Sequence, residues 1–199
     1  EVAARSLVPP GIPGYTPAEG PAYNPDSARA LLAAAGYPGG KGFPPVDLAY
    51  NTSENHKKFA EAVAHMVHEG LGVRVTPVNM EWKVLLDKMT QINYTFIRSG
   101  WYGDYTDPNT FLDMFVTDGG NNRTHWSSAK YDSLVAAAAH EVDGQKRMAQ
   151  FSAAEKILLD GGPIIAFYHY VTKYLVKPGV KGIQPNIRGY FHFADLYRQ

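Results

Sequence analysis

The order of secondary-structure signals between residues 46 and 97 constrains the fold of this chain more than any other feature. Three short alternating segments predict strands, and the two longer segments between them have apolar residues at helical spacing. The predicted elements are strands at 46–50, 73–78 and 95–97 and helices at about 55–69 and 81–89. Consecutive parallel strands are usually joined by such a helix. The sequence therefore predicts an α/β fold with a mostly parallel sheet, flanking helices and right-handed crossovers.

Further elements are predicted on both sides of this region. Helices are expected at about 25–35, 110–115, 130–141 and 145–159, a buried strand at 164–170 and a final strand at 190–197. Residues 1–23 are rich in proline and glycine, which favours an extended connection over a helix or a sheet. The polar residues Asn51, Thr52 and Ser53 end the first long strand, and their side chains are expected to cap the next helix.

The composition limits the classes of function. With 199 residues and 45% apolar content, the chain can bury the core of one large or two small domains. Lys plus Arg equals Asp plus Glu at 19 each, so no global positive field favours nucleic acid. The lack of cysteine excludes disulfides and thiolate metal sites, and it fits an exported protein. A start at Glu1, with neither methionine nor signal peptide, suggests a fragment of a longer protein.

Residues 98–115 form the strongest candidate for a functional segment. Aromatic rings, glycines and two carboxylates are concentrated where a strand passes into a helix, and such connections present polar groups to ligands. Asp104 and Asp107 could act as an acid and base pair in a glycosidase or a peptidase. Alternatively, Asp107 caps the helix after Pro108, and Asp104 alone faces a ligand. The second interpretation is the more economical.

Other catalytic and cofactor motifs have little support in the sequence. Glu61, His65 and His68 share one predicted helix at a spacing that could hold a metal, but helix surfaces often have such residues. Patterns for nucleotide phosphates and for a serine nucleophile elbow are absent from the sequence. We therefore expect no cofactor, no metal site and no enzymatic activity.

Several groups of residues in chain order together resemble a known family. They are Tyr50-Asn51-Thr52-Ser53 with His56-Lys57-Lys58, Gly72-Val73, Val78-Asn79-Met80-Glu81-Trp82, the run from Arg98 to Pro108, Asn121-Asn122, and Tyr174-Leu175-Val176-Lys177-Pro178. These groups look like the C-terminal part of the bacterial oligopeptide-binding proteins. That solute-binding family, family 5, serves ABC importers and also contains dipeptide, murein-peptide and nickel receptors. The resemblance covers nearly the whole chain.

The resemblance implies one lobe of a two-lobed, type II-like receptor that closes over an extended peptide. It implies that residues 1–23 connect to a missing lobe, that 24–171 form the peptide-binding lobe, and that 172–199 return to the other lobe. The implied partners are an oligopeptide, the N-terminal lobe and the ABC permease, and the implied location is periplasmic or lipid-anchored. Murein peptide, nickel chelate, haem or oligosaccharide are alternative ligands within the same family.

The resemblance also implies roles for individual side chains. Asp104 would pair with the peptide α-ammonium, the charge that unblocked peptides share. Trp101 and Trp82 would each form the wall of a side-chain pocket. Arg98 and His56 resemble positions at which the family neutralises the C-terminus of peptides of different lengths.

Three further positions complete this expectation. Backbone groups around Gly100 are expected to bond the peptide main chain in the manner of a strand. Tyr102 stands where relatives often have a small residue or cysteine, so it is expected to narrow a pocket. Met89 stands where close relatives have a second basic residue, which implies a different preference for peptide length.

Overall fold

The computed structural model describes residues 1–184 and 186–199 and contains both strands and helices. The strands are β1 (Val2–Ala3), β2 (Val46–Asn51), β3 (Val75–Met80), β4 (Phe96–Ile97), β5 (Tyr168–His169), β6 (Val180–Lys181) and β7 (Tyr197–Arg198). The α-helices are α1 (Pro25–Ala34), α2 (Glu54–Leu71), α3 (Trp82–Thr90), α4 (Asn109–Leu112), α5 (Ala129–His140) and α6 (Gly144–Gly161). Short 3-10 helices occur at Pro38–Gly40, Asp113–Phe115 and Phe193–Asp195. No helix in this described part is long and apolar enough to cross a membrane.

The chain divides into two compact units. Residues Ala22–Trp101 form one unit, here called the sheet unit, and Glu1–Pro21 together with Tyr102–Gln199 form the other, here called the helical unit. The break after residue 21 lies close to the predicted boundary at 23, whereas the predicted segment 24–171 is shared between the two units. The assignment of the predicted segments to the lobes of an intact receptor stays a prediction.

The sheet unit contains a three-stranded parallel sheet with the order β3-β2-β4. β2 pairs with β3 along its whole length and with β4 near its middle. Helices α2 and α3 connect these strands in the chain. The predicted order of strands and helices and the predicted parallel sheet are therefore confirmed.

Successive residues of β2 pack on opposite faces of the sheet. Leu48 and Tyr50 are buried in one apolar cluster with Ala60 and Val63 of α2. Ala49, between them in the strand, belongs to a second cluster, which contains Leu85 and Met89 of α3. Because side chains alternate along a strand, this central strand is covered on both faces. Met89 is thus a core residue of this unit.

Gly72 sets the end of α2 and the start of β3. It has a left-handed backbone with φ of 69°, and its N–H donates to the carbonyl of His68. A Cβ at this position would lie 2.3 Å from the carbonyl oxygen of Gly39, so another residue does not fit. The helix continues through Gly70, past its predicted end at about residue 69, because a glycine is tolerated there while Gly72 provides the left-handed cap. β3 consequently begins two residues later than predicted.

Pro77 lies in the middle of β3, on the outer edge of the sheet. The N–H groups of Val46 and Thr52 donate to the carbonyls of Arg74 and Met80. Because N–H and C=O groups of a parallel strand point alternately to either side, even-numbered positions of β3 face β2 and position 77 faces away. The missing N–H of proline therefore costs no bond within this sheet.

The helical unit has a core formed by α5, α6 and the N-terminal segment. Tyr131 of α5 and Phe151 and Leu158 of α6 are fully buried. The N-terminal residues Val8, Ile12 and Tyr15 belong to the buried residues as well. The segment 1–23 has little regular structure, as predicted, but it contributes core side chains, which the sequence analysis did not anticipate.

Glu155 fixes this N-terminal segment to α6. The side chain is 0% exposed, and its carboxylate accepts bonds of 2.7 Å from the N–H of Val8, the N–H of Ala18 and the hydroxyl of Tyr15. Burial raises the pKa of Glu155, and the three donors oppose this shift. Burial also raises the pKa of the Tyr15 hydroxyl, which therefore stays protonated and donates.

The prediction of a long buried strand at 164–170 is wrong. Only β5 is a strand there, and it pairs antiparallel with β1. Ile165 is 63% exposed, so the apolar run reflects neither burial nor a long ladder. The final strand is likewise shorter than predicted, because Phe193–Asp195 forms a 3-10 helix and β7 pairs with β6.

Candidate functional site

The candidate residues of the sheet unit gather at one edge of its parallel sheet. His56 lies in the first turn of α2 just after β2, and Trp82 begins α3 just after β3. Arg98, Gly100 and Trp101 follow β4. Because the carboxyl ends of parallel strands share one edge, these residues come from the edge at which α/β proteins bind ligands.

Arg98 and His56 interact electrostatically at this edge. The N–H of Arg98 donates to the carbonyl of Ala49 at 2.8 Å and so extends the pairing of β4 with β2. Nδ1 of His56 lies 3.4 Å from the carbonyl oxygen of Asn51. Burial lowers the pKa of His56, and the positive charge of Arg98 lowers it further. The positive charge at this edge therefore comes from Arg98, and an anionic group bound beside it would favour protonation of His56.

The two tryptophans of this unit are not ordinary core residues. Trp82 is 50% exposed at the start of α3, where the side chain of Glu81 accepts the N–H of Lys83 at 2.7 Å. Trp101 is half-buried, and its indole Nε1 is buried without a hydrogen-bond partner among the described residues. Gly100 beside it is exposed. Their roles in ligand binding stay predictions.

Asp104 belongs to the helical unit, where its backbone is fixed by α4. Its N–H donates to Oγ1 of the buried Thr110 at 3.0 Å. A Cβ on Gly103 would lie 2.9 Å from Cζ of Phe111, so a glycine lets this segment pack closely on α4. The Asp104 carboxylate is exposed, and no basic group of the described residues forms an ion pair with it.

Asp107 has a structural role instead. Its Oδ1 accepts the N–H of Asn109, the first residue of α4, at 3.0 Å, which confirms the predicted helix start. Both carboxylate oxygens also bond the Arg147 guanidinium, at 2.6 and 2.9 Å. The hydrogen bond to Asp107 raises the pKa of Arg147. A carboxylate held in this way is poorly suited to act with Asp104 as an acid and base pair.

Tyr102 presents an exposed aromatic ring in the helical unit. It is 75% exposed, and its ring stacks on Tyr170 with centroids 5.7 Å apart and an angle of 14° between the planes. The ring of Tyr168 packs edge-on against the ring of Tyr170, with the centroids 5.3 Å apart. Such stacking favours one orientation of the Tyr102 ring. Tyr170 was not among the residues predicted from the sequence, although the alternation Tyr-His-Tyr at 168–170 was an available signal.

Asp113 is a second acidic residue that the sequence analysis missed. Burial raises the pKa of Asp113, and the negative charge of Asp104 raises it further. The two carboxylates therefore share one electronegative region of the helical unit. The signal in the sequence was a third aspartate in the segment 98–115, one helical turn after Asn109, whose Nδ2 donates to it at 3.3 Å.

The structure contradicts one prediction about side chains near the start of α2. Ser53 is at the N-cap position but forms no side-chain cap bond, and Thr52 Oγ1 bonds Asn79 and Met80 of β3, so the predicted capping is wrong. Among the described residues, no three His, Cys, Asp or Glu side chains gather as a metal site requires. The segment with Glu61, His65 and His68 is included in that search.

Comparison with known proteins places the chain in a family. Residues 1–123 match the model described as "Bacterial extracellular solute-binding proteins, family 5 Middle". The periplasmic murein peptide-binding protein MppA of Escherichia coli is 42% identical over 159 residues, which cover 80% of this chain and 29% of that protein. The periplasmic oligopeptide-binding protein OppA of Salmonella typhimurium is 40% identical over 157 residues, covering 79% and 29%.

A solved structure has the same fold. The periplasmic oligopeptide-binding protein OppAIV of Borrelia burgdorferi matches with a TM-score of 0.85 at 30% identity, covering 100% of this chain and 40% of that one. The chain therefore spans less than half of the length of each of these proteins. The fold class and the resemblance noted in the sequence are both confirmed. This chain belongs to family 5 of the bacterial extracellular solute-binding proteins.

Proposed function

We propose that this chain is a peptide-binding part of an extracytoplasmic receptor that delivers oligopeptides to an ABC importer. The observation that supports it most is the difference between two aspartates. Asp107 is held by Arg147, whereas the exposed carboxylate of Asp104 has no ion-pair partner among the described residues. A carboxylate in this state suits the α-ammonium group, which all unblocked peptides share.

The strength of this contact depends on the exclusion of water. Two opposite unit charges at 4 Å attract each other by about 1 kcal/mol in water and by about 4 kcal/mol at an effective dielectric constant of 20. Closure of a second lobe over the ligand would move the pair between these regimes. Such closure also favours the liganded form in proportion to its extra affinity.

Other candidate residues would bind the C-terminal carboxylate, the side chains and the main chain of the peptide. Arg98 and His56 would neutralise the C-terminal carboxylate of peptides of different lengths. Trp82, Trp101 and Tyr102 offer ring faces to side chains without demanding one chemistry. Backbone groups around Gly100 would bond the main chain, which makes binding independent of sequence.

The remaining assignments concern the intact receptor. We place residues 1–23 as the connection from an N-terminal lobe, 24–171 as the peptide-binding lobe and 172–199 as a tail that returns to the other lobe. The partners are that lobe and the permease of the importer, and the location is the periplasm or the outer face of a membrane, with a lipid anchor. A receptor that binds and releases its ligand needs no catalysis.

Murein peptides are a second ligand class, supported by the 42% identity to a murein peptide-binding protein. Asp104 would serve them too wherever their α-ammonium is free. Nickel chelates, haem and oligosaccharides lack that ammonium group. Pairing of an α-ammonium group with Asp104 would therefore distinguish peptides of either kind from the other ligands of the family.

The test compares a free and an N-acetylated tripeptide in an NMR titration of this chain. We expect free tri-alanine to bind about 10- to 100-fold better than its N-acetyl form, and Asp104→Asn to remove that preference, as for a lost hydrogen bond between charged groups. Asp118→Asn, at another exposed acidic position of the same unit, is the control and should keep the preference. Equal binding of the two peptides by the unaltered chain would refute the proposed role.

A further inference from the structure

Arg147 of α6 forms the least exposed ion pair in the part of the chain that the structure describes. Its guanidinium bonds both carboxylate oxygens of Asp107, at 2.6 and 2.9 Å. The two side chains are 25% and 23% exposed, whereas in the other described pairs both side chains are at least 47% exposed. Exposed ion pairs contribute little to stability, but two parallel bonds that are shielded from water contribute more. Arg147 therefore holds Asp107 more firmly than an ordinary surface contact would.

The guanidinium of Arg147 is also fixed from the side of α6. Its central carbon lies 4.7 Å from the centroid of the Phe151 ring, one turn further along the helix, and Phe151 is 0% exposed. The helix begins at a capped end, where Asp143 accepts the N–H groups of Gln145 and Lys146. A guanidinium that is packed on a buried ring in one orientation loses little entropy when it binds a carboxylate.

The segment that receives these bonds has little regular structure of its own. Residues 101–107 contain neither helix nor strand, and α4 has four residues, too few for a helix that is stable by itself. The N–H of Asp107 donates to the carbonyl of Tyr105 at 3.0 Å, and its Oδ1 accepts the N–H of Asn109 at 3.0 Å. Asp107 thus connects the residues before and after it to the guanidinium on α6.

Asp104 lies in the same turn, three residues before Asp107. Its N–H donates to Oγ1 of Thr110, which follows Asp107 by three residues. The backbone at Asp104 is therefore tied to α4 through Thr110 and through the bonds of Asp107. Aspartate has a short side chain, so the position of its carboxylate follows the backbone closely.

We propose that Arg147 is a positioning residue for the recognition of an ammonium group. Through Asp107 it holds the turn in which Asp104 presents its exposed carboxylate to a ligand. Arg147 acts through another residue and does not itself need to touch the ligand. The inference rests on the proposed role of Asp104, and it adds a residue that lies 40 positions beyond Asp107.

The charge of Arg147 and its positioning effect act on ammonium binding in opposite directions. A positive charge near the site repels an ammonium group, and its removal also leaves Asp107 negative and unpaired. Both changes in charge would strengthen ammonium binding. Loss of the two bonds to Asp107 would loosen the turn and misplace the Asp104 carboxylate, which would weaken ammonium binding. The direction of the change therefore distinguishes the two effects.

The test measures, by NMR titration of this chain, how much more tightly free tri-alanine binds than its N-acetyl form. We expect the ratio of the two affinities to fall about tenfold in Arg147→Gln, an effect typical of a residue that influences a site without touching the ligand. Partial unfolding lowers both affinities equally, so the ratio does not report stability. Lys156→Gln, which breaks an exposed ion pair with Asp160 in the same helix, is the matched control and should keep the ratio.

Two further variants separate geometry from charge. Arg147→Lys keeps the positive charge but cannot form the two parallel bonds of a guanidinium, so the ratio should still fall, by about threefold or more. The double variant Asp107→Asn with Arg147→Gln leaves the pair without net charge, as in the unaltered chain. It should lower the ratio about as much as Arg147→Gln does. A role of the charge alone predicts an unchanged ratio in both proteins.

Hydrogen exchange of the ligand-free chain shows whether the turn is loosened. The N–H of Asp104, which bonds Oγ1 of Thr110, should exchange faster in Arg147→Gln and in Arg147→Lys. The N–H of Val46, which bonds the carbonyl of Arg74 in the sheet unit, is the control and should exchange as in the unaltered chain.

Any of three results would overturn the inference. They are an unchanged or raised ratio in Arg147→Gln, an unchanged ratio in Arg147→Lys and in the double variant, and unchanged exchange at Asp104 in the Arg147 variants. If Asp104→Asn removes the preference for the free peptide while the Arg147 variants keep it, the proposed function stands and this inference fails. Equal binding of the two peptides by the unaltered chain would refute both.

Discussion

Replacement of Glu155 by leucine should destabilise the helical unit by about 4 kcal/mol. The carboxylate is 0% exposed and accepts from the N–H of Val8, the N–H of Ala18 and the hydroxyl of Tyr15, each at 2.7 Å. Leucine has a similar volume but no acceptor, so all three donors lose their partner. Each unpaired buried donor costs about 1–3 kcal/mol, and relief from burying a carboxylate offsets part of the sum.

The contribution of one donor can be isolated by a double-mutant cycle. Tyr15→Phe should cost about 1.5 kcal/mol in the unaltered chain, because it removes a bond to a charged group. In the Glu155→Leu background the same change should be nearly neutral, since the hydroxyl is already unpaired. Glu19→Leu, which removes an exposed carboxylate paired with Arg5 in the same segment, should cost less than about 1 kcal/mol.

The assay is urea unfolding of this chain, combined with amide hydrogen exchange at Val8 and Ala18. Both amides should exchange faster in Glu155→Leu, because the N-terminal segment loses its attachment to α6. Burial raises the pKa of Glu155 in the folded chain, so the unfolded chain ionises first as the pH rises above the ordinary glutamate value of 4.5. The stability that Glu155 contributes should then decrease, and the destabilisation caused by Glu155→Leu should become smaller. A cost below 1 kcal/mol, with unchanged exchange at both amides, would refute the reasoning.

Four further predictions concern the candidate site. Gly103→Ala should cost about 1–2 kcal/mol in urea unfolding, because its Cβ would lie 2.9 Å from the Phe111 ring; an unaltered midpoint would contradict this. Asp107→Asn should cost about 2 kcal/mol through loss of the paired bonds to Arg147, and a double-mutant cycle should show strong coupling. Burial lowers the pKa of His56, so stability should fall as the pH drops below 6.5, and His56→Gln should lack this dependence in thermal melts. The chain alone should bind tripeptides more weakly than micromolar, because it presents part of the site; calorimetry that shows tighter binding would disprove this.

Local signals in the sequence predicted the parts of the fold that depend on local structure. The parallel order of β2, β3 and β4 followed from alternation and helical spacing, because a buried strand must be covered by the helices beside it. Asp107 was recognised as a helix start because the N–H that it accepts is two residues away. The fold class and the start of α4 could therefore be predicted from the sequence.

Contacts between distant parts of the chain were not predictable in this way. The segment 1–23 looked like a plain connection because the carboxylate that binds it is about 140 residues away, in Glu155. The apolar run at 164–170 looked like a buried strand. Within it, only β5 is a strand, because its partner β1 is just two residues long. The ion pair of Asp107 with Arg147 could not be found from the sequence, since the two residues lie 40 positions apart.

Pro77 affects how the sheet unit meets other chains. An exposed parallel strand normally offers a row of N–H and C=O groups to which a foreign strand can add. At position 77 the outward side of β3 has a carbonyl but no donor, so a foreign strand aligned there would leave one of its carbonyls unbonded and would meet the proline ring. The edge of the sheet that β3 forms is therefore interrupted at its centre, which should protect this unit against edge-to-edge aggregation through that strand.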